Sequence, residues 1–260
     1  MKKYLKLIWL FWLTSVAAEL EYRWNFLVAS LGSILNLVGS IFSLFLFYRT
    51  GYSFSGWSWN EALIVLSIFT FLNGISGTFL EANLNRIVTQ VQQGTLDFVL
   101  LKPISSQFWL SFRSLSIMGL PDLCFSLAIL IYASSLLHLN FYNYWLAIFP
   151  IFSSCLILYS IWFFLATTSI WFVKVNNVTD VLKGLLEAGR YPISAYPNLY
   201  RLFFTLVIPV FFLTTVPAET ILGRISPAFS ILTIILAILM LISANIFWRY
   251  AMRFYTSASS

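Results

Sequence analysis

The sequence predicts an all-α membrane protein with six transmembrane helices, and three observations lead to that prediction. The chain has 260 residues, of which 60% are apolar and only 9% are charged, whereas soluble domains carry about 25% charged residues. Its mean hydropathy is +0.88. Apolar stretches long enough to cross a bilayer recur along the chain, and the basic residues between them fall mostly on one side. The chain, 1–260, is therefore predicted to form a single transmembrane domain.

The segment before the first span, residues 1–23, is basic and apolar. Lys2, Lys3 and the small residues Ala17 and Ala18 are typical of a cleavable signal peptide. The alternative is a helix that lies along the cytoplasmic surface of the membrane. The orientation derived below favours this surface helix, because the rest of the chain already requires a cytoplasmic start.

The first two spans, at about 24–48 and 61–80, carry small residues at helical spacing. Such residues three or four positions apart let helices approach closely. In the second span we expect them to form a packing face, whereas in the first span a scattered arrangement is equally compatible with the sequence. The residues are Gly32, Asn36, Gly39, Ser40 and Ser43 in the first span, and Asn73, Gly74 and Gly77 in the second.

The third and fourth spans are placed at about 108–136 and 141–173, and both contain proline. Pro121 and Asp122 lie within the third span. A carboxylate inside a membrane is costly and is a functional hypothesis by default. The alternative for Asp122 is a structural role beside a neighbouring polar side chain or Arg113. The fourth span exceeds the roughly 20 residues that a crossing needs, so we expect a kink at its proline or ends that extend beyond the bilayer.

The fifth span, at about 199–213, is interrupted by Pro209. The following chain, 214–227, contains Pro217 and is too short and broken to cross the bilayer. We therefore expect a re-entrant segment of short helices between the fifth and sixth spans. The sixth span is placed at about 228–248.

Six spans put both ends of the chain on one side, and the basic residues indicate which side that is. Of the 15 Lys and Arg residues, 13 fall on the side of the N-terminus. Only Arg49 and Arg224 fall on the other side. Because cytoplasmic loops are enriched in basic residues, both termini are predicted to be cytoplasmic.

The loop between the second and third spans, 86–106, contains the most unusual stretch, QVQQGTLDFVLLKPISS at 90–106. Thr95 is suited to cap a short helix, Asp97 lies near the positive end of that helix, and Pro103 ends it. About two turns of amphipathic helix at a membrane surface result. An ordinary interfacial loop is the alternative.

Within this stretch, GTLDFVLLKPIS resembles the segment between the second and third spans of ABC-2-type permeases. Two other segments resemble one branch of that family. They are GRYPISAYP at 189–197, with Pro209, Pro217 and Gly223-Arg224 after it, and RYAMRFYTSASS at 249–260. The three matches in order are more specific than any one alone.

The resemblance implies a six-helix permease subunit of an ABC exporter in a bacterial-type plasma (inner) membrane. A separate ABC ATPase subunit would bind the cytoplasmic coupling helix between spans 2 and 3, and a second permease, identical or related, would complete the pathway among membrane lipids. Asp122 is a candidate for the pathway, and Pro209 and Pro217 for the outer gate. The residues implied for ATPase coupling are Gly94, Thr95, Leu96, Asp97, Phe98, Leu101, Lys102 and Pro103.

The Arg190-Tyr191-Pro192 block allows two interpretations. It is either a structural anchor with its Arg and Tyr at headgroup depth, which we favour, or a direct contact with the ATPase.

Other function classes receive less support from the sequence. The chain has a single histidine and no P-loop motif, so we expect no enzyme activity, no cofactor and no nucleic-acid partner, with ATP hydrolysis on another subunit. A transporter driven by an ion gradient would need several buried ionisable groups, of which only Asp122 is evident. A membrane scaffold without transport is the third possibility.

Overall fold

The computed structural model describes residues 2–51, 54, 56–172, 180 and 183–256, and all regular structure among them is helical, as predicted. Among these residues five helices are long and apolar enough to cross a membrane, or six if one bent pair counts as a span. The helices are α1 (Lys2–Glu21), α2 (Arg23–Arg49), α3 (Trp59–Ile75), α4 (Glu81–Gln92), α5 (Asp97–Leu100), α6 (Ser106–Phe112), α7 (Leu120–Leu137), α8 (Phe141–Thr168), α9 (Asn198–Leu206), α10 (Val216–Ile221) and α11 (Pro227–Ala251).

Helix α3 lies at the centre of the molecule. Its main neighbour is α7, and it also contacts α2, α8 and α10, while α8 packs along α11. The helix begins at a capping box in which the Glu61 carboxylate accepts a hydrogen bond of 2.8 Å from the Ser58 amide. In contrast, α2 buries little of its surface in this chain. It therefore presents most of its apolar side chains outward, to lipid or to another subunit.

Close contact between α3 and α7 depends on the small residues predicted to form a packing face. A Cβ atom on Gly74 would meet Leu123, and one on Gly77 would lie 3.3 Å from the Gly119 Cα atom. A Cβ atom on Gly119 would lie 2.6 Å from the Gly74 carbonyl oxygen. The two backbones therefore approach as closely as glycine allows.

The second span continues well beyond its expected end at residue 80. A π-helical turn, Ser76–Leu80, joins α3 to α4 without a gap, and the combined helix extends from Trp59 to Gln92. A π-turn inserts one residue into the helical ladder without ending it. The polar residues after position 80 therefore continue the same helix beyond its apolar part.

The third span begins later than the expected 108–136, because the backbone leaves the helix after α6. A short 3-10 helix, Ile117–Gly119, and then α7 follow the break. The Asn83 side chain donates to the Ser114 carbonyl at 2.7 Å and accepts from the Ser114 amide at 2.8 Å. The Ser116 amide donates to the Thr78 carbonyl at 2.9 Å. These partners from α4 and the π-turn satisfy a backbone that local sequence alone would leave helical.

The remaining spans differ from expectation mainly at their ends. Helix α8, which corresponds to the fourth span, contains Pro150 and continues through it without a break. It ends at Thr168 and not at 173, and residue 173 lies outside the described part of the chain. The fifth span is a pair, Asn198–Leu206 and Phe211–Ile221, bent by 78° at the break that contains Pro209. The break therefore lies inside the expected fifth span, 199–213. The bent part of the chain begins before residue 214, where the re-entrant segment was expected to begin.

Candidate coupling surface and intramembrane cavity

The stretch 94–103, called the coupling segment below, forms the short helix α5 with two different faces. Leu96 and Val99 are buried, with exposures of 0% and 2%. Phe98 and Leu101 are exposed, at 69% and 82%. The helix is thus anchored by one apolar face and presents a second apolar face outward, and only the structure reveals which residue belongs to which face.

Both ends of the coupling segment follow from backbone chemistry. Gly94 adopts φ +66°, a left-handed conformation that glycine tolerates best. The helix ends at Leu100, before Pro103, as predicted. Thr95, however, does not cap it: the residue before the helix is Leu96, in helical conformation and with no side-chain cap. The turn through residues 93–96 starts the helix instead.

Aromatic residues fix the far side of the coupling segment. The Lys102 ammonium lies 4.4 Å from the centre of the Trp109 ring on α6, and Trp109 packs edge-on against Phe11 of α1 at 4.8 Å. The Trp248 indole near the end of α11 donates to the Ser106 hydroxyl at 3.3 Å. Helices from both ends of the chain therefore support the segment.

The residues after α11 approach the same segment. Burial, and then the nearby Asp97 carboxylate, raise the pKa of Tyr255 above its ordinary value. The Tyr255 phenol is therefore neutral near pH 7 and itself places no negative charge beside Asp97.

Helix α1 lies against this region and is not among the helices apolar enough to span, within the part of the chain described. Tyr4 packs edge-on against Phe108 at 4.8 Å. The Glu19 carboxylate accepts a hydrogen bond of 2.6 Å from the Ile117 amide. The N-terminal segment thus joins α6 to the start of the third span.

Asp122 borders two cavities between the described helices. The main cavity, of about 450 Å³, lies between the α3–α4 helix, α7, α8 and the 3-10 helix Glu187–Arg190. A side chamber of about 200 Å³ lies between α2, α3 and α7. Asn73 and Asp122 line both spaces. Asp122 occupies the first turn of α7 rather than the middle of a longer helix.

The Ser33 hydroxyl of α2 interacts with the Asp122 carboxylate and lines the side chamber with it, so one structural partner of the expected kind lies beside it. The other expected partner, Arg113, is directed elsewhere. Its guanidinium lies over the rings of Phe11 and Trp109, at 5.0 and 5.6 Å.

Sequence reasoning assigned three other charged residues of the main cavity to loops or helix ends. Lys183 and Glu81 form an ion pair of 2.9 Å, and Glu187 pairs with Arg190. No motif marks these pairs: Lys183 and Glu81 come from different parts of the chain, and Glu187 and Arg190 lie three residues apart in one 3-10 helix. The sequence indicates these residues only through its low content of charged residues, because any charged residue between apolar spans is then notable.

The Arg190-Tyr191 block contacts the first span rather than the end of a helix. Arg190 donates to Ser40 at 2.7 Å and to the Asn36 side chain at 3.3 Å. Tyr191 and Ser43 share a hydrogen bond of 3.0 Å. Because Asn36 is the midpoint of α2, these contacts lie at the middle of that helix and not at its end. The polar residues of α2 thus form a binding face for this block, whereas Gly32 and Gly39 meet no neighbour within 4 Å.

The two gate candidates, Pro209 and Pro217, are both buried. Pro209 lies in the break before the π-turn, and Pro217 lies in the first turn of α10. At the loop that follows, Arg224 pairs with Glu61 and donates to the Gly56 carbonyl at 2.8 Å.

Comparison with known proteins agrees with this architecture. The family described as ABC-2 family transporter protein matches residues 34–259. No curated protein matches the chain. The family match covers most of the chain, including the coupling segment and every residue that lines the main cavity, so the chain belongs to the ABC-2 family of transporter membrane proteins.

Proposed function

We propose that the chain is the permease subunit of an ABC exporter, in which a separate ATPase subunit drives transport by acting on the coupling segment. Permeases of this family generally work with an ABC ATPase. The observation that carries the proposal is the outward apolar pair, Phe98 and Leu101, on a helix whose other face is fixed in the core. A partner protein would cover this pair, because exposed aromatic and aliphatic side chains beside buried anchors are typical of docking sites.

The packing of α5 suggests how a push would reach the membrane. Leu96 and Val99 belong to the same core cluster as Leu84 of α4 and Leu110 of α6. Helix α5 also contacts α6, and α6 contacts α4, so we propose that a displacement of α5 reaches α4 through α6. The α4 helix continues into α3, which borders the cavities, so we propose that closure of an ATPase dimer changes cavity access through this continuous helix.

The proposal also covers the substrate pathway, the orientation of the chain in the membrane and the assembly of the permease. We place the coupling segment and both termini in the cytoplasm of a bacterial-type inner membrane, with Asp122 on the pathway and the Pro209–Pro217 region at the outer gate. The outward apolar side chains of α2 would face lipid or a second permease, identical or related. The Arg190-Tyr191 block acts as a structural anchor, because its contacts lie within this chain.

A pull-down from membranes tests the ATPase partner. We expect an ATPase to copurify with the wild type and to be lost with Phe98→Asp/Leu101→Asp. Leu96 stays native in this variant, because a carboxylate at a fully buried position would disturb folding. The ATP turnover of each eluate is measured together with the yield of folded permease.

The matched control is Gln93→Asp/Ser105→Asp, which adds the same negative charge to exposed positions around the segment. Asp at 105 can still cap α6, as Ser105 does. If both double variants retain the ATPase, or both lose it, the apolar pair is not the docking site. If no ATPase copurifies with folded wild type, the exporter proposal fails.

One observation favours a second candidate, the gradient-driven transporter. The main cavity is lined by Glu81, Glu187 and Lys183 in addition to Asp122. Lys183 and Glu187 are exposed and the other two are half-buried, but together they place more ionisable groups around one cavity than the sequence indicates. Transport that persists in vesicles without any ATPase, and that collapses with the proton or sodium gradient, would select this alternative.

A further inference from the structure

The charges around the main cavity are balanced except at one residue. Three carboxylates line it, those of Glu81, Asp122 and Glu187. Lys183 neutralises the first and Arg190 the third. Among the residues that the structure describes, Asp122 has a hydroxyl partner but no ion pair. One negative charge therefore remains at the boundary between the two cavities.

This charge is half-buried between α2, α3 and α7. Its partner Ser33 is ten residues into α2, about 15 Å from the start of that helix at the standard rise. A carboxylate at such a position is costly unless a cation or a proton compensates it. The site is therefore suited to a ligand that brings one positive charge.

The two cavities differ in the chemistry of their walls. The side chamber is lined by polar side chains, those of Ser33, Asn36, Thr70, Asn73 and Asp122, of which the Asn36 oxygen already accepts a hydrogen bond from Arg190. The main cavity is walled largely by apolar and aromatic side chains, including Phe69, Leu72, Leu158 and Trp162. A polar chamber thus opens beside an apolar one, with the unpaired carboxylate between them.

The aromatic walls already accept cations from this chain. The Lys183 ammonium lies 5.6 Å from the Trp162 ring centre, and the Arg190 guanidinium lies 5.3 Å from that of Phe69. Attraction of this kind is electrostatic and acts equally on a ligand cation.

We propose that these two spaces form one binding site for a monovalent amphiphilic cation. Its ammonium group pairs with Asp122 at the side chamber, and its apolar body lies in the main cavity against Phe69 and Trp162. The biological role of this site rests on the proposed transport function, but binding of the cation can be tested without any ATPase.

The test measures binding of 4-phenylbutyltrimethylammonium to the full chain in phosphatidylcholine nanodiscs by equilibrium dialysis, with empty nanodiscs subtracted. The matched ligand carries a tert-butyl group in place of the trimethylammonium, so that shape is kept and charge is lost. We expect saturable binding of the cation to the wild type, at least tenfold weaker binding to Asp122→Asn, and weak binding of the neutral ligand to both.

Three further variants test separately the charge at position 122, the free volume of the side chamber and the effect of a carboxylate change elsewhere in the chain. Asp122→Glu keeps the carboxylate and should bind within about threefold of wild type, a difference below 1 kcal/mol. Ser33→Leu fills the side chamber without removing the charge and should weaken binding tenfold. Asp180→Asn changes an exposed carboxylate that lines neither space and should bind like wild type.

Equal affinity of wild type and Asp122→Asn for the cation, or equal affinity of wild type for the charged and neutral ligands, would overturn the proposal. Absence of saturable binding would overturn it as well. Each of these results leaves the ATPase pull-down unaffected, so failure of the cation site is distinguishable from failure of the exporter assignment.

Discussion

Arg190 connects three parts of the molecule through a single side chain. It pairs with Glu187 in its own 3-10 helix, donates to Ser40 and Asn36 of α2, and lies over the Phe69 ring of α3. Arginine suits this position because its planar, permanently charged group offers several donors in fixed directions. The first span, which is otherwise mostly exposed, is thereby tied to the centre of the bundle.

We expect Arg190→Gln to lower stability by about 1–3 kcal/mol, because hydrogen bonds to a charged group are lost and Glu187 loses its partner. The melting temperature should fall by about 2–4 °C for each kcal/mol, as read from tryptophan fluorescence during heating. Arg201→Gln is the control. That exposed arginine donates only to the carbonyls of Ser194 and Tyr196 in the described structure. Equal melting of the two variants would contradict a special role for Arg190.

At the level of elements, α3 and α7 approach each other closely beside the cavities. Their contact is built on glycine, and it holds the first turn of α7, where Asp122 lies, against the α3–α4 helix. Without a hydrophobic driving force between spans, close packing of this kind supplies much of the association.

Gly119→Ala tests that approach. The new methyl group would lie 2.5 Å from the Thr78 hydroxyl and 2.6 Å from its amide nitrogen, so we expect destabilisation of about 1–3 kcal/mol by overpacking. Gly32→Ala is the matched control, because no atom lies within 4 Å of the added group. It should be neutral or stabilise α2 by up to about 1 kcal/mol. Thermal melting of both variants measures the difference, and similar losses would argue against the close contact.

For the whole molecule, two clusters mark opposite ends of the long α3–α4 helix. Near its start, Glu61 pairs with Arg224. Beyond its end at Gln92, α1, the coupling segment and the residues after α11 come together. At the standard rise the 34 residues of this helix extend about 50 Å, enough to cross a bilayer and emerge on one side.

Thiol labelling tests the orientation proposed from the basic residues. In a background with Cys124→Ala and Cys155→Ala, we expect Thr50→Cys to react with an impermeant maleimide in intact cells. Gln93→Cys, also exposed, should react only after the membrane is permeabilised. The reverse pattern would place the coupling segment outside and would exclude an ATPase partner in the cytoplasm.

The sequence by itself determined the helical membrane class, the number of apolar stretches and the presence of a short helix before Pro103, although that helix has one turn, 97–100, where about two turns were expected. These features depend on local chemistry: apolar length, proline at 103 and 209, and glycine at 94. The family resemblance was also carried by contiguous residues, which is why it was visible without a structure.

Tertiary structure alone decided the rest. Leu96 and Phe98 are two positions apart and both apolar, yet one is buried and the other exposed, because the surrounding helices cover only one face of α5. The third span starts late because Asn83 and Thr78 bind the backbone at 114–116. Arg190 meets the middle of α2 across 150 residues of sequence, and Asp122 becomes the unpaired charge of a cavity only when α2, α3 and α7 assemble. Such contacts join residues distant in the chain, and no local pattern encodes them.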